Sequence, residues 1–262
     1  MTDRPEILRT DSVVLHQMEY GETSRIVRLL TREKGSMSVI VKGARTSSNR
    51  FGTTLEPMSC IQAVIHVKPG RGLQTLSETS HLVTFPGLRA SLERIRIGLR
   101  VVELTRAVAQ EGERNDPLFS LVYSTLTALD ACHERPENLW PFFQMRLSRV
   151  LGFGPSFEPD LVRGLEGDVA VLDLDSGRIS ATGDAAGRGY PMRASRRAIR
   201  AFAVFTRSNL TDVLRMTLDP ATLREVESLI AAYMKFHIED AWPHRSAAVF
   251  AQFDPSWESD PG

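Results

Sequence analysis

The sequence predicts an α+β protein of more than one domain, in which a small five-stranded barrel precedes a helical domain. The first 85 residues alternate strand-like runs with turns, and from residue 86 the hydrophobic period becomes that of helices. A glycine-rich, acidic stretch then separates two groups of helical segments. We therefore expect a barrel domain at 1–84, a helical domain at 85–151 and 191–250, an insert at 152–190 and a flexible tail at 251–262.

Five runs rich in Val, Ile, Leu and Thr form the predicted barrel. They read DSVVLHQMEY, SRIVRLLTRE, SMSVIVKG, MSCIQAVIHV and LQTLSETSHLV. Three of the four connections are short and marked by glycine, whereas the third, KGARTSSNRFGTTLEP at 42–57, is long and polar. Five antiparallel strands with the longest connection after the third fit a closed barrel of the OB type. An SH3-like barrel is the alternative that strand counting leaves open.

Helical segments follow on both sides of the insert. The stretch 85–113 has apolar residues at helical spacing, and Ser91 with the charges of 93–100 on the other face indicates a solvated outer surface. Asp116 is a candidate N-cap with Pro117 at the first helical position, and Ser195 is the candidate N-cap of a later helix. The insert contains only short strand-like pieces, DVAVLDL and GRISAT, and is therefore expected to be a hairpin or ribbon.

Composition excludes several classes of protein. The 262 residues are 42% hydrophobic and 24% charged, as in an ordinary globular protein, and no apolar run approaches the roughly 20 residues that span a bilayer. The N-terminus lacks the apolar core of a signal peptide, and the two cysteines, Cys60 and Cys132, are too few and too distant for a disulfide framework. We expect a cytoplasmic protein.

The formal net charge of zero conceals a segregation of charge along the chain. One acid, Glu33, accompanies seven cations between residues 25 and 50: Arg25, Arg28, Arg32, Lys34, Lys42, Arg45 and Arg50. Six arginines and no acid lie between 188 and 211, while 158–184 is predominantly acidic. Clustered cations attract polyanions, although solvated faces are the alternative interpretation of each segment taken alone.

Binding is better supported than catalysis. The six histidines are scattered, no nucleophile–base pair or metal-ligand spacing is evident, and KPGRGL is interpreted as a hairpin turn. Strand alternation places Arg28 and Arg32 on one face, where neighbouring cations would form a patch that holds nucleic-acid backbone. Aromatic residues are few in this domain (Tyr20, Phe51 and Phe85), so we expect backbone-led contact rather than stacking of every base.

The predicted phosphate contacts fall into two sets. The first comprises Arg25, Arg28, Lys34, Lys42, Arg45 and Arg50. For Arg50, bracing the long loop against Glu56 is an open alternative to contact with phosphate. The second set, Arg196, Arg197 and Arg200, lies on a predicted helix whose other face carries Ile199, Phe202 and Phe205.

The ordered set of motifs resembles the RecO family of bacterial recombination mediators. The matching segments begin with GETSRIVRLLTREKG, VKGAR, NRFGTTLEP and GRGLQTL. They continue through LRASLERIRIGLRVVEL, FFQMRLSRVLGFGP and AAYMKFHIEDAWPHRS, so that the resemblance covers nearly the whole chain. It implies an OB-fold domain, a helical domain and a small zinc-ribbon-like insert.

The resemblance also implies a function and partners. These are binding of single- and double-stranded DNA, annealing of complementary strands, and partnership with RecR in loading RecA onto DNA coated with single-strand-binding protein. The acidic C-terminal tail of that protein is a further implied partner, for which Arg146 and Arg149 are candidate contacts, and association with the bacterial nucleoid during repair is implied as well. No membrane, small-molecule substrate or cofactor is expected. An OB-fold RNA-binding protein and a scaffold that grips acidic protein tails remain alternatives.

The insert departs from the family pattern of two Cys-x-x-Cys pairs. Asp160 and Arg163 occupy the first pair of positions, and Ser180 and Gly183 lie near the second. These residues cannot form a four-thiolate zinc site. We therefore expect no structural zinc, and an insert held by its hairpin and packing alone.

Overall fold

The computed structural model describes residues 6–46, 50–181, 189–239 and 242. The described residues form two compact units, one within 1–130 and the other within 131–240. The first unit thus takes in the helices that follow the barrel, whereas the sequence suggested a boundary at 84. The predicted tail at 251–262 and Gly183 lie outside the described residues.

Five strands close into a barrel in the first unit. They are β1 (Glu6–Tyr20), β2 (Ser24–Thr31), β3 (Gly35–Val41), β4 (Cys60–Val67) and β5 (Leu73–Val83). The order around the barrel is β1-β2-β3-β5-β4, and β1 closes it by pairing with β4 over its first half and β2 over its second. All pairings are antiparallel except β3 with β5, because closure brings these two strands together in the same direction. This topology is consistent with the predicted OB-fold.

The long connection between β3 and β4 is part of the barrel core. Phe51 and Leu55 are 3% and 0% exposed and pack, with Ala44, among the inward side chains of the strands. The connection also contributes Met58, whose backbone N–H donates to Val14 O at 2.9 Å. The sequence alone suggests that residues 42–57 are a polar connector. We call this segment the plug loop, because buried side chains from it fill the interior of the barrel.

In the described part of the first unit, the barrel is followed by the helices α1 (Pro86–Arg89), α2 (Leu92–Val108) and α3 (Asp116–Ala131). The single helical stretch expected at 85–113 is divided because Ser91 adopts extended backbone and caps α2, its side chain accepting from the N–H of Arg94. The cap of α3 is Asn115, whose Oδ1 accepts from the N–H of Leu118, and the predicted cap Asp116 is the first helical residue.

The second unit is a helical bundle that carries a small sheet. Its helices are α4 (Leu139–Val150), α5 (Pro159–Arg163), α6 (Arg196–Arg207), α7 (Leu210–Arg215) and α8 (Pro220–His237), with a 3-10 turn at Pro136–Asn138. The strands β6 (Val169–Asp173), β7 (Ile179–Ala181) and β8 (Pro191–Ser195) form an antiparallel sheet with β6 in the centre. The sheet thus extends past the expected insert boundary at 190, because β8 pairs with β6 directly before Ser195 caps α6. Across the described ranges, no helix is long and apolar enough to cross a membrane.

Candidate nucleic-acid interface

Four of the seven cations between residues 25 and 50 form ion pairs with carboxylates from other segments. The pairs are Arg25–Glu56 (3.8 Å), Arg28–Glu111 (3.1 Å), Arg32–Asp11 (3.7 Å) and Arg45–Glu19 (3.0 Å). The fold thus supplies acids that the local sequence lacks. Solvent-exposed pairs contribute only about 0–1 kcal/mol each, so phosphate can still compete for these arginines.

Arg25 lies at the end of the barrel, on the inward side of β2. It is an odd number of residues from Arg28, and strand alternation therefore directs the two side chains to opposite faces. Its Nη1 donates to Gln17 Oε1 at 2.8 Å, and Gln17 Nε2 donates in turn to Glu56 Oε2 at 2.9 Å. The guanidinium is therefore held in a polar network that seals this end.

Arg45 fastens the plug loop to the β1–β2 turn. Its backbone N–H donates to Thr23 O at 3.0 Å, and its Nη1 donates to Gly21 O at 2.9 Å. Together with the ion pair to Glu19, these bonds account for much of the hydrogen-bonding capacity of the guanidinium. Arg45 therefore has a structural role at this position. Any contact that it makes with a phosphate is additional to that role.

Lys42 and Arg50 differ from the paired arginines. Both are exposed, and no carboxylate oxygen among the described residues lies within ion-pair distance of either. Arg50 Nη2 donates to Ser77 O of β5 at 2.9 Å, and its Cζ lies 5.1 Å from the centroid of the Phe51 ring. Bracing against Glu56 is therefore not the arrangement found, since Glu56 pairs with Arg25. Lys42 follows the parallel pairing of Ile40 with Thr75, which directs the end of β3 toward Ser77 as well.

Lys34 is exposed but lies at the other end of β2. Six residue steps along β2 separate the level of Arg25 from that of Thr31, which is about 20 Å. Arg32 lies just beyond the strand, so alternation does not fix its direction, and its Cζ lies 4.7 Å from the Phe119 ring centroid of α3. The predicted first set is thus divided between two ends of the barrel.

The outer face of β1, β2 and β3 carries a feature that sequence reasoning missed. Cross-strand pairing aligns Met18, Ile26 and Ile40 in one row, and Met18 and the nearby Tyr20 are 53% and 51% exposed. The alternation within HQMEY and SRIVR contained this signal. The other two aromatic residues singled out from the sequence, Phe51 and Phe85, are buried.

The next row on this face is polar. It aligns His16, Arg28 and Ser38. Burial, followed by the charge of Arg106, lowers the pKa of His16 below its ordinary value, so the imidazole is neutral at pH 7. Arg28 is therefore the positive charge of this row, and it stands beside the apolar row.

Three of the four arginines of α6 bind main-chain carbonyls of the segment 157–165. Arg196 Nη1 donates to Leu165 O at 3.5 Å, Arg200 Nη2 to Arg163 O at 3.1 Å, and Arg207 Nη1 to Phe157 O at 2.9 Å. Arg197 is exposed. The expectation that the insert is held by its hairpin and packing alone is thus incomplete, because these arginines also fasten it to α6.

The two candidates for a protein-tail contact have different environments. Arg146 donates from Nη1 to Thr206 O at 3.2 Å and from Nη2 to Ser208 O, and therefore caps the C-terminal end of α6. Burial, with a smaller effect of Arg149, lowers the pKa of Arg146. Arg149 itself is exposed on α4. Of the two, Arg149 presents the accessible guanidinium.

The positions aligned with the zinc pairs hold other contacts. Asp160 and Arg163 form an exposed ion pair at 3.3 Å within α5, and Ser180 lies on β7. In the part of the chain that is described, no group of three His, Cys, Asp or Glu residues could hold a metal ion. Cys60 and Cys132 are buried free thiols.

Comparison with known proteins identifies the family. The chain matches the family models "Recombination protein O N terminal" over residues 5–85 and "Recombination protein O C terminal" over residues 89–247. It is 43% identical over 255 residues to DNA repair protein RecO of Salinibacter ruber, covering 97% of each chain. It is 32% identical to DNA repair protein RecO of Anaeromyxobacter sp. (strain Fw109-5), covering 91% of this chain and 93% of the relative. The chain therefore belongs to the recombination protein O family of DNA repair proteins.

Proposed function

We propose that this chain is a non-enzymatic recombination mediator that binds single- and double-stranded DNA and anneals complementary strands. With RecR, it helps to load RecA onto DNA coated with single-strand-binding protein. Membership of a DNA repair family supports the general role. DNA binding and strand annealing are supported by the surface of the barrel.

The observation that carries the proposal is the outer face of β1, β2 and β3. Its apolar row, with exposed Met18 and Tyr20, offers a surface on which bases pack, and Arg28 stands beside it. Lys42 and Arg50 lie at one end of these strands. Apolar or aromatic side chains beside a cationic track are how single strands are held without sequence preference.

Annealing follows from backbone-led contact. Cations that hold phosphates carry no sequence information, so strands of any sequence can be bound. A strand held through its phosphates keeps its base edges available for a complementary strand. The cations also reduce the repulsion between two polyanions that approach one another.

The acidic tail of single-strand-binding protein would contact Arg149 rather than Arg146. A carboxylate needs donors that are not already used, and Arg146 donates to the carbonyls of Thr206 and Ser208. We therefore expect Arg149→Ala to weaken binding of a tail peptide more than Arg146→Lys does.

A salt titration with single-stranded DNA, duplex DNA and RNA of equal length tests the proposal. We expect binding to both forms of DNA, with log K falling linearly with log salt. A clear preference for RNA would favour an RNA-binding function, because the 2′-hydroxyl permits that discrimination. Weak binding to all three with tight binding to acidic peptides would indicate a scaffold, and strand cleavage in the presence of a metal ion would contradict the non-enzymatic assignment.

A further inference from the structure

A cleft in the first unit lies where the plug loop meets the end of β5 and the start of α1. It encloses about 170 Å³ and is lined by Thr53, Ser59, His81, Val83, Thr84, Phe85, Pro86 and Arg89. That volume is several times the roughly 30 Å³ that a water molecule occupies. It is large enough for a phosphate group.

The polar groups of the cleft are suited to an oxyanion. Arg89 Nη2 donates to Ser59 Oγ at 3.1 Å, and Ser59 Oγ donates to Thr53 O at 3.2 Å, so a buried hydroxyl orients the guanidinium. Among the described residues, Arg89 has no carboxylate within ion-pair distance, and none of the eight residues that line the cleft is acidic. His81 Nε2 and Thr53 Oγ1 lie 3.3 Å apart at its rim.

The cleft continues the line of the exposed cations. The plug loop runs along β5, with Arg50 bonded to Ser77, Thr54 to Thr79 and Thr53 to His81. Four residue steps along β5 separate Ser77 from His81, which is about 13 Å. This corresponds to about four stacked nucleotides at about 3.4 Å each. A chain of phosphates matches this arrangement better than the single carboxylate of a peptide end.

We propose that the cleft binds a backbone phosphate of single-stranded DNA, with Arg89 as the charged contact and His81 and Thr53 as hydrogen-bonding partners. The inference rests on the proposed DNA-binding function and extends it to residues outside the predicted cationic segments. The apolar wall formed by Val83, Phe85 and Pro86 would lie against the adjoining sugar.

The test compares Arg89→Gln with Arg9→Gln, which removes an exposed arginine of β1 that does not line the cleft. Binding of a labelled oligonucleotide is followed by fluorescence anisotropy from 50 to 200 mM salt. We expect Arg89→Gln to weaken binding about three- to tenfold at 50 mM salt and to reduce the salt slope by about 0.7, whereas Arg9→Gln changes neither. Arg89→Lys, which keeps the charge, should retain most of the slope. His81→Gln leaves the Arg89–Ser59 bond in place and should weaken binding in the same direction.

The outcomes separate this proposal from the function on which it rests. If the wild-type protein binds DNA with the expected salt dependence but Arg89→Gln behaves like Arg9→Gln, the cleft assignment is overturned and the proposed function stands. If the wild-type protein shows no salt-dependent binding, both are overturned. The NMR signal of the His81 ring, assigned with His81→Gln, should shift at lower concentrations of oligonucleotide than of inorganic phosphate. A shift with an acidic peptide but none with DNA would identify a peptide site instead and overturn the proposal.

Discussion

Removing Lys42 and Arg50 should weaken DNA binding more than removing Arg25 and Arg45, although each change removes two positive charges from the same end of the barrel. The reason is that Arg25 and Arg45 already face Glu56 and Glu19, at 3.8 and 3.0 Å. When a paired arginine contacts a phosphate, counterions are released from the DNA. The free energy gained by this release is offset by the cost of weakening the ion pair between the arginine and its carboxylate. Neither Lys42 nor Arg50 has a carboxylate partner among the described residues.

The expected size of the effect follows from counterion release. Each phosphate neutralised on a single strand contributes about 0.7 to the slope of log K against log salt. Lys42→Gln combined with Arg50→Gln should therefore lower the slope by about 1.4. Over the fourfold range from 50 to 200 mM salt, this corresponds to about a sevenfold smaller loss of affinity than in the wild type. The variant Arg25→Gln combined with Arg45→Gln should lower the slope by less than about 0.7.

Fluorescence anisotropy of a labelled oligonucleotide measures these slopes. Circular dichroism serves as the control that tests whether both double variants are folded. Equal slopes in the two variants would show that net charge, and not the presence of a carboxylate partner, determines binding. The reasoning from ion pairs would then be refuted. A slope equal to that of the wild type in the variant that lacks Lys42 and Arg50 would remove both residues from the interface.

Three further predictions concern stability. Leu55→Ala removes a fully buried side chain of the barrel plug and should cost about 2–5 kcal/mol in denaturant unfolding; a loss below about 1 kcal/mol would show that the plug is not part of the core. Burial, followed by the charge of Asp11, raises the pKa of Cys60 from 9.0 to about 12, so the unfolded chain loses its thiol proton first as pH rises. The free energy of unfolding should fall by up to about 1.4 kcal/mol per pH unit between these values, and Cys60→Val, read by urea unfolding at pH 8 to 11, should flatten the decline. Arg146→Gln should destabilise the protein by about 1–3 kcal/mol because it leaves carbonyls at the end of α6 without a donor, whereas Arg149→Gln should change stability by no more than about 0.5 kcal/mol; equal thermal melting shifts would contradict the difference.

Local patterns predicted the elements of the barrel but not the partners of its charges. Alternation and glycine-marked turns identified all five strands, and Ser195 caps α6 as predicted. The caps of the two earlier helices were not predicted: Ser91, interpreted only as part of a solvated face, caps α2, and Asn115 rather than Asp116 caps α3. Four of the seven cations between 25 and 50 form ion pairs, but they looked uncompensated because their acids, such as Glu111, lie outside that segment. Strand register and barrel closure bring these acids next to the arginines. Neither feature can be read from a window of 26 residues.

The plug loop shows a second limit of sequence reasoning. Residues 42–57 have no regular period, so nothing in their spacing distinguishes an inward side chain from an outward one. Phe51 and Leu55 are buried because they pack against inward apolar side chains of the strands, and barrel closure brings those side chains together. Arg50, next in sequence to Phe51, is consequently directed outward along β5.

The link between the exposed Arg50 and the buried Phe51 favours arginine over lysine at position 50. A guanidinium has five N–H donors, so Arg50 can bond to Ser77 O through one of them and present others to a phosphate. An oriented guanidinium loses less conformational entropy when the phosphate arrives. The orientation depends on Phe51, on which Arg50 stacks, and Phe51 is fixed by the core. The loop that closes the barrel thus also pre-organises its exposed cation, and for this reason stability and DNA affinity should respond together to changes in the buried half of the loop.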